Sequence, residues 1–321
     1  MNIITAPFWF LSKALKAAPW AMAAGIAYSS KFVDHNLPLP DPVATAPDFA
    51  QIPGRDRVAL YRRGRDEAQA VLLVHSVNAA ASAAEMRPLF DRLSTDFAVA
   101  ALDLPGYGKS DRSPIEYTVD HMTAGVVAAL EDIGRPTHVV ALSLGSEFAA
   151  RAETLRPDLV ASLTLLSPTG FGGSDSAPPE KLGDILRTPV IGQAIYDGLT
   201  TRLSIDYFLA KSFVGDVDPA LSSYGYLTAH QPNARFAPAA FLSGKLFTRR
   251  PTETLYRNVK APTLVLFDED NYSSFDELAP FTSRHEAWTA QRIEGTKGLP
   301  HFDKPEETVE AIIDFISSLD S

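Results

Sequence analysis

Cysteine is absent from all 321 residues. That excludes disulfides, thiolate metal sites and cysteine nucleophiles, and gives no sign of an oxidising compartment. Positive charge is scarce as well: 29 Lys and Arg stand against 39 Asp and Glu, a net charge of -10 at pH 7. With no basic surplus and no basic cluster to neutralise phosphates, no nucleic-acid partner is expected. Long apolar runs are also missing. The stretches 7–11 and 17–28 are apolar, but Lys13, Lys16 and prolines interrupt this region. Neither stretch reaches the ~20 residues of a membrane span. No basic segment precedes the first of them, so a secretory leader is a poor fit.

What is present is an ordinary globular composition, 45% hydrophobic and 21% charged, enough for a sizeable core. Residues 1–34 have two readings. In one, short amphipathic helices pack on the main domain. In the other, Phe8, Trp9, Phe10 and Trp20 lie at a lipid interface with Lys13 and Lys16 toward the headgroups, a peripheral membrane contact. A cytoplasmic protein is expected on the first reading and a membrane-associated one on the second. The proline-rich segment from Leu37 to Pro47 reads as an extended linker.

From about residue 56 strand-like and helix-like patterns alternate. Short apolar runs at 57–61, 71–75, 97–102, 137–142, 162–167 and 263–267 predict strands, several of them apolar on both faces. Amphipathic stretches at 84–95, 119–133 and 146–155 predict helices, and Val309, Ile312, Ile313 and Ile316 fall at helical spacing behind Pro305. Such alternation predicts an α/β fold, a mostly parallel doubly wound sheet. The rhythm breaks between Pro168 and Ala261, where short helical candidates lie at 179–186, 192–201 and 204–213. A structureless insert of that length would be unusual, so a helical cap is expected there. The expected division is 1–48 as extension and linker, 49–168 with 262–321 as core, and 169–261 as cap.

The segment Val139 to Ala150 carries the chemistry. A strand-like run ends in Ala141-Leu142-Ser143-Leu144-Gly145 and passes into helix-forming sequence. This is the layout of a nucleophile elbow, Gly-x-Ser-x-Gly, with Ala141 at the first glycine position. Small residues two positions either side let a sharp strand-to-helix turn hold the serine in strained backbone. Serine acyl transfer also needs a base, an orienting acid and oxyanion donors. His301, in a loop before the last helix, is the best base. Of the other six histidines, His138 lies in or beside a strand, His121 on a helix, and His75 ends a strand; His35, His230 and His285 lack a motif. The turn Asp268-Glu269-Asp270 after a late strand offers the acid, with Asp270 preferred and Asp268 as the alternative. The loop from His75 to Ser82 offers an oxyanion hole from the amides of Val77 and Leu144.

Four motifs fall in order: the His75-Ser76 loop, the run Leu102 to Asp111, the serine elbow and the His301 segment. With them the chain resembles the α/β-hydrolase superfamily, of the capped serine esterase, lipase and C–C hydrolase type. The order Ser143, Asp270, His301 is that of the superfamily. The match covers about residues 57 to 319. His75-Ser76 stands where His-Gly is usual, Ser146 replaces a common second glycine, and the acid turn is about one residue short. The resemblance implies cleavage of a carboxylic ester or related, hydrophobic acyl substrate, with no metal or organic cofactor. C–C bond hydrolysis, lactone opening and perhydrolysis remain open on the same triad, as does a non-catalytic ligand-binding or scaffold role. Phe171, Tyr196, Tyr207, Phe208, Phe213, Tyr224, Tyr226 and Phe236 are expected to supply much of an apolar pocket.

Overall fold

The computed structural model describes residues 19–172 and 181–319, with side chains from residue 23 onward. Eight strands form one sheet: β1 (Pro47–Gln51), β2 (Arg57–Arg63), β3 (Ala70–Val74), β4 (Ala98–Leu102), β5 (Thr137–Leu142), β6 (Val160–Leu166), β7 (Thr263–Phe267) and β8 (Trp288–Arg292). Their spatial order is β1-β2-β4-β3-β5-β6-β7-β8. The β1–β2 and β2–β4 pairs are antiparallel and all others parallel.

Alternation along the central strands divides the core. Leu72, Val74, Val139, Ala141, Leu163 and Leu165 face one layer with Met122, Val126, Phe148 and Ala152. Val71, Leu73, Val140, Leu142 and Leu166 face the other, with Phe90, Leu93, Ile312 and Ile316. Strands covered on both faces must be apolar at successive positions, and β3 is fully buried throughout. The helix Val119–Ile133 starts at Thr118, whose side chain accepts the His121 N–H, and ends at Gly134 in the left-handed region (φ 73°).

Two strands escape the sequence patterns. β1 opens on a proline, and β8 buries only Trp288 of its five residues. Both are edges of the sheet, so they lack the apolar signature of the interior. Between β6 and β7 the chain is helical, as expected, at Lys181–Arg187, Ile191–Leu199 and Arg202–Leu209. Three further α-helices, Pro219–Ala229, Phe236–Leu242 and Pro251–Thr254, fall outside those expectations.

The helical insert joins the sheet's core through Phe213, Leu221, Phe236 and Leu246, and polar contacts add to this. The Tyr196 hydroxyl donates to the Ala79 carbonyl (2.7 Å), Arg87 pairs with Asp218 (2.9 Å), and Tyr272 donates to the Phe208 carbonyl (2.9 Å). The N-terminal helix Pro19–Phe32 packs on the insert helix Ile191–Leu199 rather than on the sheet. Buried Asp197 holds it there, accepting from Ser29 Oγ (2.6 Å) and Gln193 Nε2 (2.8 Å) and facing His35 Nε2 (3.0 Å). Phe8, Trp9, Phe10, Lys13 and Lys16 lie outside the described residues, as does the side chain of Trp20.

Candidate active site

The three candidate residues all follow the carboxyl ends of strands: Ser143 after β5, Asp270 after β7 and His301 beyond β8. Ser143 follows β5 with φ 52° and leads into the helix Gly145–Leu155. A non-glycine residue in that region costs roughly 1–2 kcal/mol, so the surroundings must enforce it. They do so on both sides of the turn. The Ser143 N–H donates to Leu166 O (2.9 Å) in the neighbouring strand, and Ser143 O accepts the Ser146 N–H (3.1 Å). Ser146, where glycine is more common, bonds its hydroxyl back to Ala141 O (3.2 Å). Ser143 itself is partly exposed, and its hydroxyl makes no hydrogen bond among the described residues. The N-terminus of the following helix lies behind it and favours negative charge.

Gly145 explains how the elbow meets the loop after β3. A Cβ added there would lie 2.4 Å from the His75 carbonyl oxygen, so only glycine lets the two segments touch. His75 is fully buried. Its Nε2 accepts the Leu104 N–H (2.9 Å), which leaves Nδ1 as the donor to Ser76 O. This histidine fastens the loop and offers no free ring nitrogen for proton transfer. The amides of Val77 and Leu144 have no acceptor among the described residues, as oxyanion donors require. In the run from Leu102 to Asp111, buried Asp103 accepts from Tyr61 Oη (2.6 Å) and the amides of Ala83 (2.7 Å) and Lys109 (2.8 Å). It is committed to architecture.

The late carboxylates separate cleanly. Burial would raise the Asp268 carboxyl, but Arg292 and the amides of Thr296 (3.0 Å) and Gly295 (2.7 Å) outweigh it and hold the group below its ordinary value. Its oxygens are occupied by the return from β8. Asp270 accepts the Tyr272 N–H (2.9 Å), and its Oδ1 lies 3.1 Å from where a Cβ on Gly298 would stand. It therefore flanks the segment that carries His301. Burial pushes the Asp270 carboxyl up to about 6 despite these hydrogen bonds.

His301 is fully buried on the short helix Pro300–Asp303. Its Nε2 meets the Glu85 carbonyl (2.7 Å), and Nδ1 has no hydrogen-bond partner. Burial pushes the imidazole down to about 4, against the opposing effect of the Glu85 bond. The structure thus brings Asp270 beside the His301 segment without hydrogen-bonding Ser143, His301 and Asp270 to one another. Sequence reasoning passed over Glu85; a carboxylate ten residues beyond the loop's histidine was the available signal.

The aromatic residues expected to line a pocket scatter. Phe171 is buried in a core cluster with Tyr256, Phe281 and Trp288, while Tyr207 is 59% exposed. Tyr224 bonds Pro40 O, and Tyr226 stacks on His230. Phe213 packs edge-on to Phe302, next to His301. The described helices include none long and apolar enough to cross a membrane, and no group of three or more metal-ligating side chains gathers among the described residues.

Comparison with known proteins agrees with this architecture. A curated relative in Cupriavidus necator, the dihydrolipoyllysine-residue acetyltransferase component of an acetoin cleaving system, is 31% identical over 57% of this chain and 50% of its own. The chain spans only about half the length of that relative. A 2-hydroxy-6-oxo-6-(2'-aminophenyl)hexa-2,4-dienoic acid hydrolase of Metapseudomonas resinovorans is 26% identical over 78% of this chain and 84% of its own. The solved structure of a bacterial membrane phospholipase A superposes with a TM-score of 0.68 at 20% identity, covering 98% and 97% of the two chains. The model of the alpha/beta hydrolase family matches residues 71–311, three quarters of the sequence, and the chain belongs to that family.

Proposed function

We propose that this enzyme is a serine hydrolase that cleaves a carboxylic ester or related acyl substrate through an acyl-enzyme. The observation that carries the proposal is Ser143: left-handed and partly exposed at the end of a central strand, its hydroxyl without a hydrogen bond among the described residues. The unbonded amides of Val77 and Leu144, on segments brought together at Gly145, support it. Ser143 Oγ attacks the carbonyl and passes its proton to His301, which returns it to the leaving group. The acyl-enzyme then takes up water and releases the acid. Asp270 orients His301 and stabilises the imidazolium. No step needs a metal or organic cofactor. At rest His301 Nε2 is held by the Glu85 carbonyl, so the ring must turn toward Ser143 and Asp270 before proton transfer; such contacts often tighten only when substrate binds.

The Metapseudomonas relative favours C–C bond hydrolysis as a second reading, since it matches most of both chains. Turnover of p-nitrophenyl esters of increasing chain length, beside a vinylogous 1,5-diketone acid, separates the two. Preference for the diketone would move the assignment to C–C cleavage. Lactone opening and perhydrolysis are decided by direct assay of those substrates, and a folded protein inert to all would be a binding member of the fold.

The N-terminal segment fits a lipid surface. Residues 1–33 hold three lysines and no acid within a chain of net charge -10. On the described helix Tyr28 and Phe32 are 61% and 74% exposed, their rings 5.7 Å apart.

A further inference from the structure

One buried carboxylate at the site has no part in the chemistry above. Glu85 is 4% exposed, in the 3-10 turn Ala83–Met86 just beyond the candidate oxyanion loop. No cation pairs with it among the described residues. Its Oε2 accepts the Ser76 N–H (2.9 Å) and its Oε1 the Asn78 Nδ2 (2.7 Å). Asn78 also donates to Ser76 Oγ (3.0 Å) and accepts the Ala80 N–H (2.8 Å). These bonds close around Val77, whose own amide stays free. The same residue's main-chain carbonyl holds His301 Nε2.

The loop needs such an anchor. Between Asn78 and Met86 five of seven residues are alanine, without polar side chains to fix the backbone. An oxyanion donor is effective only when its direction is set before charge develops, because then no reorganisation is required in the transition state. A buried carboxylate accepting two N–H bonds sets direction more firmly than water could.

We propose that Glu85 is a positioning residue for the reaction: its carboxylate aims the Val77 amide, and its carbonyl parks the base. The proposal rests on the serine-hydrolase reading of the site. Glu85→Ala is expected to lower kcat about 10-fold to 100-fold, a fraction of the loss from deleting a donor outright. KM should change less than about threefold, since the interaction is made in the transition state. Affinity for a trifluoromethyl ketone, which forms an oxyanion on Ser143, should fall in parallel with kcat. Glu85→Gln keeps an acceptor for Ser76 but sets its amide against that of Asn78. Adding Asn78→Asp reverses that polarity and should restore much of kcat.

Should Glu85→Ala not fold, Glu85→Gln and Asn78→Ala carry the same expectation in the same direction. Folded variants with unchanged kcat and ketone affinity, or a swap that restores nothing, would overturn the proposal. A wild type whose Ser143 resists fluorophosphonate overturns the reading beneath it as well. Labelled wild type with indifferent Glu85 variants removes Glu85 alone.

Discussion

The carbonyl oxygen of His75 lies 2.4 Å from the position a side chain would take at Gly145. The segments carrying Val77 and Ser143 are thus in contact only because residue 145 has no Cβ. Gly145→Ala should push them apart. We expect kcat to fall at least 100-fold and stability by roughly 1–3 kcal/mol, the usual cost of overpacking. Steady-state kinetics and a denaturant titration check both.

The two late aspartates should respond differently. Asp270→Asn is expected to cut kcat by up to about 10⁴, the effect of mis-setting a catalytic histidine's tautomer. Asp268→Asn should weaken the anchoring of Arg292, Gly295 and Thr296, lowering the thermal midpoint with a much smaller loss of kcat. The opposite pattern would exchange their roles.

The pH profile follows from the two perturbed groups. In the proposed mechanism His301 is neutral to accept a proton and Asp270 is ionised to orient it; burial takes the first down to about 4 and the second up to about 6. Activity should be lost as pH falls, with an acid limb of kcat/KM between about 4 and 6 to which both groups contribute. The same profile in Asp270→Asn should lose the upper part of that limb.

Removing residues 1–33 deletes the lysines and the exposed Tyr28 and Phe32. Co-sedimentation with anionic vesicles should then disappear, and added salt should weaken it in the full chain. A full-length protein that ignores vesicles would contradict the lipid contact.

Much of the sheet is legible in the sequence because its interior strands must be apolar on both faces. β1 and β8 are not, since edge strands face water and read as polar. The elbow at Ser143 is legible from the small residues that its turn demands. The resting partner of His301 is not: a backbone carbonyl 216 residues away leaves no local signal. Docking of the N-terminal helix on the insert is equally silent, because it depends on where Asp197 lands after folding. The scattered aromatics teach the same point. Phe171 packs in the core, although its position in the chain falls within the expected cap.

The most direct test of the central claim is intact-mass analysis after treatment with a fluorophosphonate, for wild type, Ser143→Ala and His301→Ala. We predict one adduct on wild type, localised to Ser143, none on Ser143→Ala, and labelling slowed by orders of magnitude on His301→Ala. Equal labelling of all three, or none in a folded wild type, would contradict the serine mechanism.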